Sequence, residues 1–503
     1  MIRQHFAKMK FEIGNYPART KCQKGIRYHR SKLKVFRLVF GASICLVISY
    51  LNTGSAFASE EICFPQGYSQ SESATSTNLT DVPAVASLKN SYVFIDSSPN
   101  MVGLVNAADS ADGPSGTKRM LFNLPFALSS LSEKVRYHQV QGSVTPKAIH
   151  EGSDLLDRSL YQCEKGKSLS QCLSGKSALS IVLPFVASGS KDDVYILVSD
   201  LSLDGKEFIG GAGSKFRKSI ERILGSERAI GIVAVRGKFE GVVYDLPSGG
   251  RYSKANKRPL YLMAFGERNS LLKLFGNIER EVLSNVPTSD KKLVIFTKRV
   301  VKRKIGNLEW KDDEFNVGKG IQTDSTHETG MPRIRKYILQ RKHYKLEAKI
   351  GLDQVQLPYS LPATEFELEQ KLWQRRRDSG KCSKQWLQLK GRDDLISVSK
   401  SETDFSLNVF NKQKSTKKLP SRRTYFLSSE VLIKKIGLDA SLSSWAKEWS
   451  YDDLSEKRLI AEKPSFFPTL NLDRLLKVLA DSVLKTFEPE RLARFDAIFH
   501  IDR

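Results

Sequence analysis

From residue 91 to residue 300 short apolar runs alternate with longer stretches of helical period, the pattern of a sheet whose strands are separated by covering helices. Tyr92–Asp96 predicts a first strand and Val135–Gln141 a second, with a helix over Lys118–Leu131 between them. Helices follow over Asp154–Glu164 and Ser177–Ala187, then an almost wholly apolar strand over Val194–Asp200 and an amphipathic helix over Lys215–Leu224. Ile230–Val235, Gly241–Tyr244 and Leu260–Phe265 supply further strands, Ser270–Leu283 a helix and Leu293–Phe296 a closing strand. This alternation predicts one α/β domain over 91–300 with a doubly wound, mostly parallel sheet.

Beyond about residue 300 the period changes. Tyr344–Ile350, Trp386–Leu389, Leu395–Val398 and Phe405–Phe410 alternate apolar with polar positions, so 301–430 is expected to form a basic, β-rich domain of half-buried antiparallel strands, with a sandwich as one arrangement. The helical period returns in a C-terminal segment, 431–503. Ser443–Trp449 is short, and Asn471–Phe487 carries Leu472, Leu475, Leu476, Leu479 and Val483 at spacings that suit packing onto the body. Trp445 and Trp449, four apart, share a helix face and read as an anchor into the core. No internal repeat is evident.

Charge and leader place this body. The chain of 503 residues carries a net charge of +25, which calls for an acidic partner surface. Residues 1–40 hold eleven Lys/Arg and one acid, Glu12, and 41–58 hold no charge, which leaves +15 from Ser59 onward. An apolar run, Leu38–Leu51, follows the basic front and leads to Ala56-Phe57-Ala58, an A-x-A cleavage pattern. Residues 1–58 therefore read as an export signal, with an uncleaved single-span anchor as the other reading; both put the body outside the cytosol. Residues 59–90, rich in Ser, Thr, Asn and Gln, read as a flexible lead-in. Loss of the leader with Cys22 and Cys45 leaves Cys63, Cys163, Cys172 and Cys382, an even set suited to disulfides whose three pairings all stay open.

Chemistry is sought at the carboxyl ends of the strands, where open α/β sheets bind ligands. The first strand ends in Asp96-Ser97-Ser98-Pro99-Asn100, the central one in Ser199-Asp200, and Gly152-Ser153-Asp154 opens a helix between them. Asp96, Ser98, Asn100, Ser153 and Asp200 offer the mix of carboxylate and neutral oxygens that a hard divalent cation takes. At these residues the chain resembles the von Willebrand factor A domain family, whose metal-ion-dependent adhesion site is written D-x-S-x-S, a later Thr, and an Asp after the central strand. Asp96, Ser98 and Asp200 match, while Asn100 stands for a Ser and Ser153 for the Thr. The resemblance implies a Mg²⁺ ion with an open coordination position, completed by a carboxylate from a partner protein.

Other motifs fail on spacing. Gly175-Lys176-Ser177 lacks the earlier glycine of a phosphate loop, His327-Glu328 lacks the second histidine of H-E-x-x-H, and no G-x-S-x-G occurs. His138 and His150 stand without a catalytic partner motif. Basic runs such as Lys302-Arg303-Lys304, Arg375-Arg376-Arg377 and Arg422-Arg423 lack interleaved aromatics, so an anionic envelope surface suits them better than nucleic acid. The sequence thus points to an exported or envelope-associated binding module rather than an enzyme. A structural envelope protein holding anionic surfaces through its basic distal half, with a vestigial metal site, is the alternative. A hydrolase using Asp96 and Asp200 lacks a nucleophile.

Overall fold

The computed structural model describes residues 65, 88–109, 115–162, 177–300, 305–307, 321–324, 335–339, 346–351, 358–376, 386–390, 396–400, 404–409, 420, 422–438 and 440–501. The export signal, nearly all of the lead-in, and Cys63, Cys163, Cys172 and Cys382 lie outside the described residues.

The first sheet is built from β1 (Leu88–Asp96), α1 (Pro99–Asn106), α2 (Gly116–Ser129), β2 (Ser132–Val140), β3 (Val144–Lys147), α3 (Ala178–Ser188), β4 (Val194–Ser199), α4 (Gly210–Gly225), β5 (Arg228–Lys238), β6 (Lys257–Glu267), α5 (Arg268–Asn277) and β7 (Lys291–Phe296). Its seven strands run in the order β3-β2-β1-β4-β6-β5-β7. Alternate residues of the central strands face opposite cores. Phe94, Tyr195 and Leu197 meet α3 and α4, whereas Val93, Ile95 and Ile196 meet α1, α2 and α5.

The expectation of a mostly parallel sheet needs correction. Only β2-β1-β4 is parallel; β6 lies antiparallel to both β4 and β5, β7 antiparallel to β5, and β3 antiparallel to β2. A parallel return needs a long crossover, usually a helix. No helix lies between β5 and β6. Residues 239–256 make a loop there, so the expected Gly241–Tyr244 strand shrinks to one bridge, Val243 with Tyr252. The helix expected over Asp154–Glu164 is replaced, as far as it is described, by two short 3-10 helices, Gly152–Leu156 and Arg158–Tyr161. Asp157 divides them because its carboxylate takes the Ser159 amide, a local bond that competes with helix.

The second sheet contains β8 (Ile305–Asn307), β9 (Ile321–Asp324) and β10 (Arg335–Leu339). β11 (Leu346–Gly351) belongs to a separate three-stranded sheet, and β12 (Ala363–Arg375) and β13 (Trp386–Leu389) return to the second sheet. β14 (Ile396–Lys400) and β15 (Asp404–Val409) complete the small sheet, and β16 (Arg423–Ile436) re-enters the larger one. The chain then forms α6 (Ala440–Glu448), β17 (Ser450–Tyr451), α7 (Glu456–Glu462), β18 (Thr469–Leu470), α8 (Leu472–Thr486) and β19 (Glu490–Ile501). The last strand pairs with β16, so the segment read as helical ends inside the second sheet.

Before reaching it, residues 449–487 return to the first sheet. Leu472, Leu475, Leu476, Leu479 and Val483 of α8 share one apolar cluster with α4, while Tyr451, Phe467 and Leu470 join the cluster on the other face. The backbone is tied down as well: Leu203 N donates to Leu470 O at 3.3 Å and Phe467 N to Lys257 O at 2.9 Å. No helix among the described residues is long and apolar enough to cross a membrane.

Candidate functional site

β1 and β4 are parallel neighbours from which the chain departs in opposite directions, to β2 on one side and to β5, beyond β6, on the other. Such a reversal leaves a crevice at the carboxyl ends of the strands. A cavity of about 460 Å³ lies there. Asp96, Ser98, Asn100 and Asp200 all line it.

Sheet register explains the first acid. Ile95 pairs with Val198, so one step further Asp96 stands beside Ser199, and Ser199 Oγ donates to Asp96 Oδ2 at 2.6 Å. The other carboxylate oxygen, Oδ1, accepts the Ser98 amide at 2.9 Å in the turn that starts α1, where Pro99 fits the first helical position. Burial raises the Asp96 pKa, and these hydrogen bonds oppose it.

Asn100 serves a different purpose from the one assigned to it. Its Oδ1 accepts the Tyr244 amide at 2.8 Å and its Nδ2 donates to Asp200 Oδ2 at 3.1 Å. The side chain bridges α1, the 239–256 loop and the second acid, with its oxygen already engaged. Ser153 is not brought to the cavity. It lies exposed in the first 3-10 helix, donating to Glu151 Oε1 at 2.7 Å. Gly152 holds that helix against α2, since a Cβ there would fall 1.8 Å from Phe122 O.

Sequence reasoning missed Arg258 and Asp245. Arg258 Nη2 lies 3.3 Å from Asp200 Oδ2 and 3.1 Å from Asp245 Oδ2, and its Nη1 is 3.5 Å from Asp245 Oδ1. The guanidinium is 1% exposed, with its carbon 5.6 Å from the Phe239 ring and 6.0 Å from the Phe467 ring. The antiparallel course of β6 delivers it. A parallel strand would present its carboxyl end to this rim, whereas β6 presents its beginning, with Arg258 second in the strand. The only sequence signal was a charged residue separated by Pro259 alone from the apolar run Leu260–Phe265.

Burial dominates the titration here. It pushes Asp200 up to about 7, helped by the Asp245 and Asp96 charges and opposed by Arg258. Burial alone would lower the Arg258 pKa, but Asp245 and Asp200 outweigh it and the pKa rises. The guanidinium stays charged.

Against this geometry the expected Mg²⁺ ligand set does not fit. Mg²⁺ demands near-octahedral oxygen coordination. Of the five residues expected to supply it, Ser153 is elsewhere, the Asn100 oxygen is committed to a backbone amide, and Asp200 Oδ2 meets a guanidinium and an amide donor. Among the described residues no group of three or more His, Cys, Asp or Glu is arranged to hold a metal ion.

Not every polar atom of the lining residues faces the cavity. Ser202 Oγ and both polar atoms of the Gln141 amide are turned into protein, removed from solvent and without a hydrogen-bond partner. His138 is not part of the cavity lining; it stacks on Phe94 at 5.3 Å between ring centres, and burial, then the Arg136 charge, lowers its pKa.

No family model, curated protein or solved structure matches this chain.

Proposed function

We propose that the chain is an exported protein-binding module whose α/β part, a variant of the von Willebrand factor A arrangement, takes a basic group of a partner protein into the cavity between β1 and β4. The observation that carries this reading is the acidic lining of the cavity. Charge and shape select the group. Asp96, Asp200, Asp204, Glu207, Asp245 and Asp453 line the cavity against Lys206, and Ile181, Ile209, Leu246 and Leu470 add apolar wall. A lysine or arginine side chain, charged at the tip and aliphatic along the stem, matches both. The carboxylate ligand expected from the motif needs a bridging cation; a basic ligand needs none. Support for export is the 1–58 leader.

Fluorescence anisotropy with the full chain and short fluorescent peptides, basic or acidic but matched in length, tests the reading. Basic peptides should bind, and Ser202→Phe, which fills the cavity, should weaken them at least about tenfold, the size expected from losing a pocket-centred anchor. Equal binding of acidic peptides, or no effect of Ser202→Phe, overturns it.

A second reading concerns the basic distal half and an anionic envelope surface. Antiparallel pairing of Gln374 with Tyr425 brings Arg375 and Arg376 beside Arg422 and Arg423 at one end of the second sheet. Sedimentation with anionic vesicles, falling steeply with salt and abolished by Arg422→Glu with Arg423→Glu, is the expected result. Salt-independent association counts against it.

A further inference from the structure

We infer that Arg258 is the site's own cation: its guanidinium takes the electrostatic place of a divalent ion, and the fold needs no metal to hold Asp200 and Asp245 together. Four observations converge. The guanidinium faces both acids, meeting Asp245 through two nitrogens and Asp200 through one. It is enclosed on its faces by the Phe239 and Phe467 rings, where a planar, weakly hydrated cation fits and a hydrated metal ion does not. Asn100 spends its oxygen on the Tyr244 amide and turns its nitrogen towards Asp200, so that acid is surrounded by donors rather than by further ligands. The strand that carries Arg258 runs antiparallel to β4, and this reversal sets its first residues at the carboxyl rim.

Three acids are held close in a buried setting, and like charges so placed repel. In a metal-dependent site an ion drawn from solution relieves that repulsion, and binding then depends on its supply. A covalently attached guanidinium relieves part of it permanently. The site is assembled whatever the cation concentration, because the guanidinium that Asp200 and Asp245 face is part of the chain. The inference stands whether or not a partner enters the cavity.

Thermal unfolding of the full chain tests it. The wild type should melt at the same temperature in EDTA and in millimolar Mg²⁺ or Mn²⁺. Arg258→Met, close in volume and without charge, should lower Tm by roughly 10 °C, because it strands buried carboxylates. Mn²⁺ should then restore part of that loss in Arg258→Met only. If Arg258→Met does not fold, the double variant Arg258→Met with Asp200→Asn, which removes one charge of each sign, should fold. A saturable rise in wild-type Tm with Mg²⁺ that is lost in Asp96→Asn overturns the inference, as does an Arg258→Met variant as stable as wild type. Failure of both Arg258→Met and the double variant to fold also counts against it.

Discussion

Glu456 caps the loop that carries Asp245: its Oε2 accepts the Ser248 amide at 3.0 Å and its Oε1 the Ser248 hydroxyl, across 208 positions of sequence. Helix α7 thereby anchors residues 244–249, most of which line the cavity. Glu456→Ala removes the charged acceptor of an amide and a hydroxyl of exposed Ser248, which water takes over in part, and should cost about 1 kcal/mol. Hydrogen exchange should accelerate at the amides of Leu246 and 248–250 while those of β5 and β6 keep their protection. Uniform loss of protection across the molecule would contradict the anchoring role.

Stability should depend on pH through Asp200. Its pKa is about 7 in the folded protein against an ordinary 3.8, so between those values the native state holds a proton that the unfolded chain has released. Its contribution to stability is therefore fully present below about pH 4 and is lost as pH rises towards 7. Asp96, Asp245 and Arg258 face the same carboxyl and set the level, with Tyr261 and Tyr451 nearby. In urea unfolding, the difference in midpoint between wild type and Asp200→Asn should shift in favour of the variant across that window. A difference that stays constant from pH 4 to pH 7.5 contradicts it.

Gly152→Ala and Gly211→Ala should move stability in opposite directions. The first puts a methyl group 1.8 Å from the Phe122 carbonyl oxygen, a backbone atom that cannot swing aside. Overpacking of this kind costs about 1–3 kcal/mol or more. The second lies in α4, where a Cβ meets nothing within 4 Å, and alanine there should stabilise by about 0.5–1 kcal/mol. Denaturant titration of the two variants side by side checks the sign of each.

Trp449 is buried against Trp445 and Phe466, with the Arg236 guanidinium carbon 5.3 Å from its ring centre. Trp449→Ala should cost about 3–5 kcal/mol as a large cavity opens. Trp449→Phe should cost much less, because the indole Nε1 makes no hydrogen bond that could be lost. Equal losses for the two variants would show that the indole nitrogen has a partner in solution.

Elements that declare themselves locally were legible in the sequence. β4 is apolar at nearly every position because both faces of its sheet are covered, and α8 repeats leucine at helical spacing because only one side is buried. The convergence of Asp96 with Asp200 followed from strand ends alone. Strand direction was not legible, since Leu260–Phe265 has the same apolar composition whichever way β6 runs. What decides its direction is the helix-free loop at 239–256, and with it the arrival of Arg258. Asn100 was misassigned for a related reason: an amide can present oxygen or nitrogen, and the choice is made by Tyr244, 144 residues away. The acid at Asp245 sits in a turn-rich stretch where aspartate is ordinary.

The return of residues 449–487 to the first sheet has a consequence for how the protein is made. Thr469 reaches the carbonyl of Asp200 across 269 positions, and Phe467, Leu470 and α8 fill apolar clusters begun by β1 and β4. A nascent polypeptide cannot seal its earliest core until its closing stretch arrives.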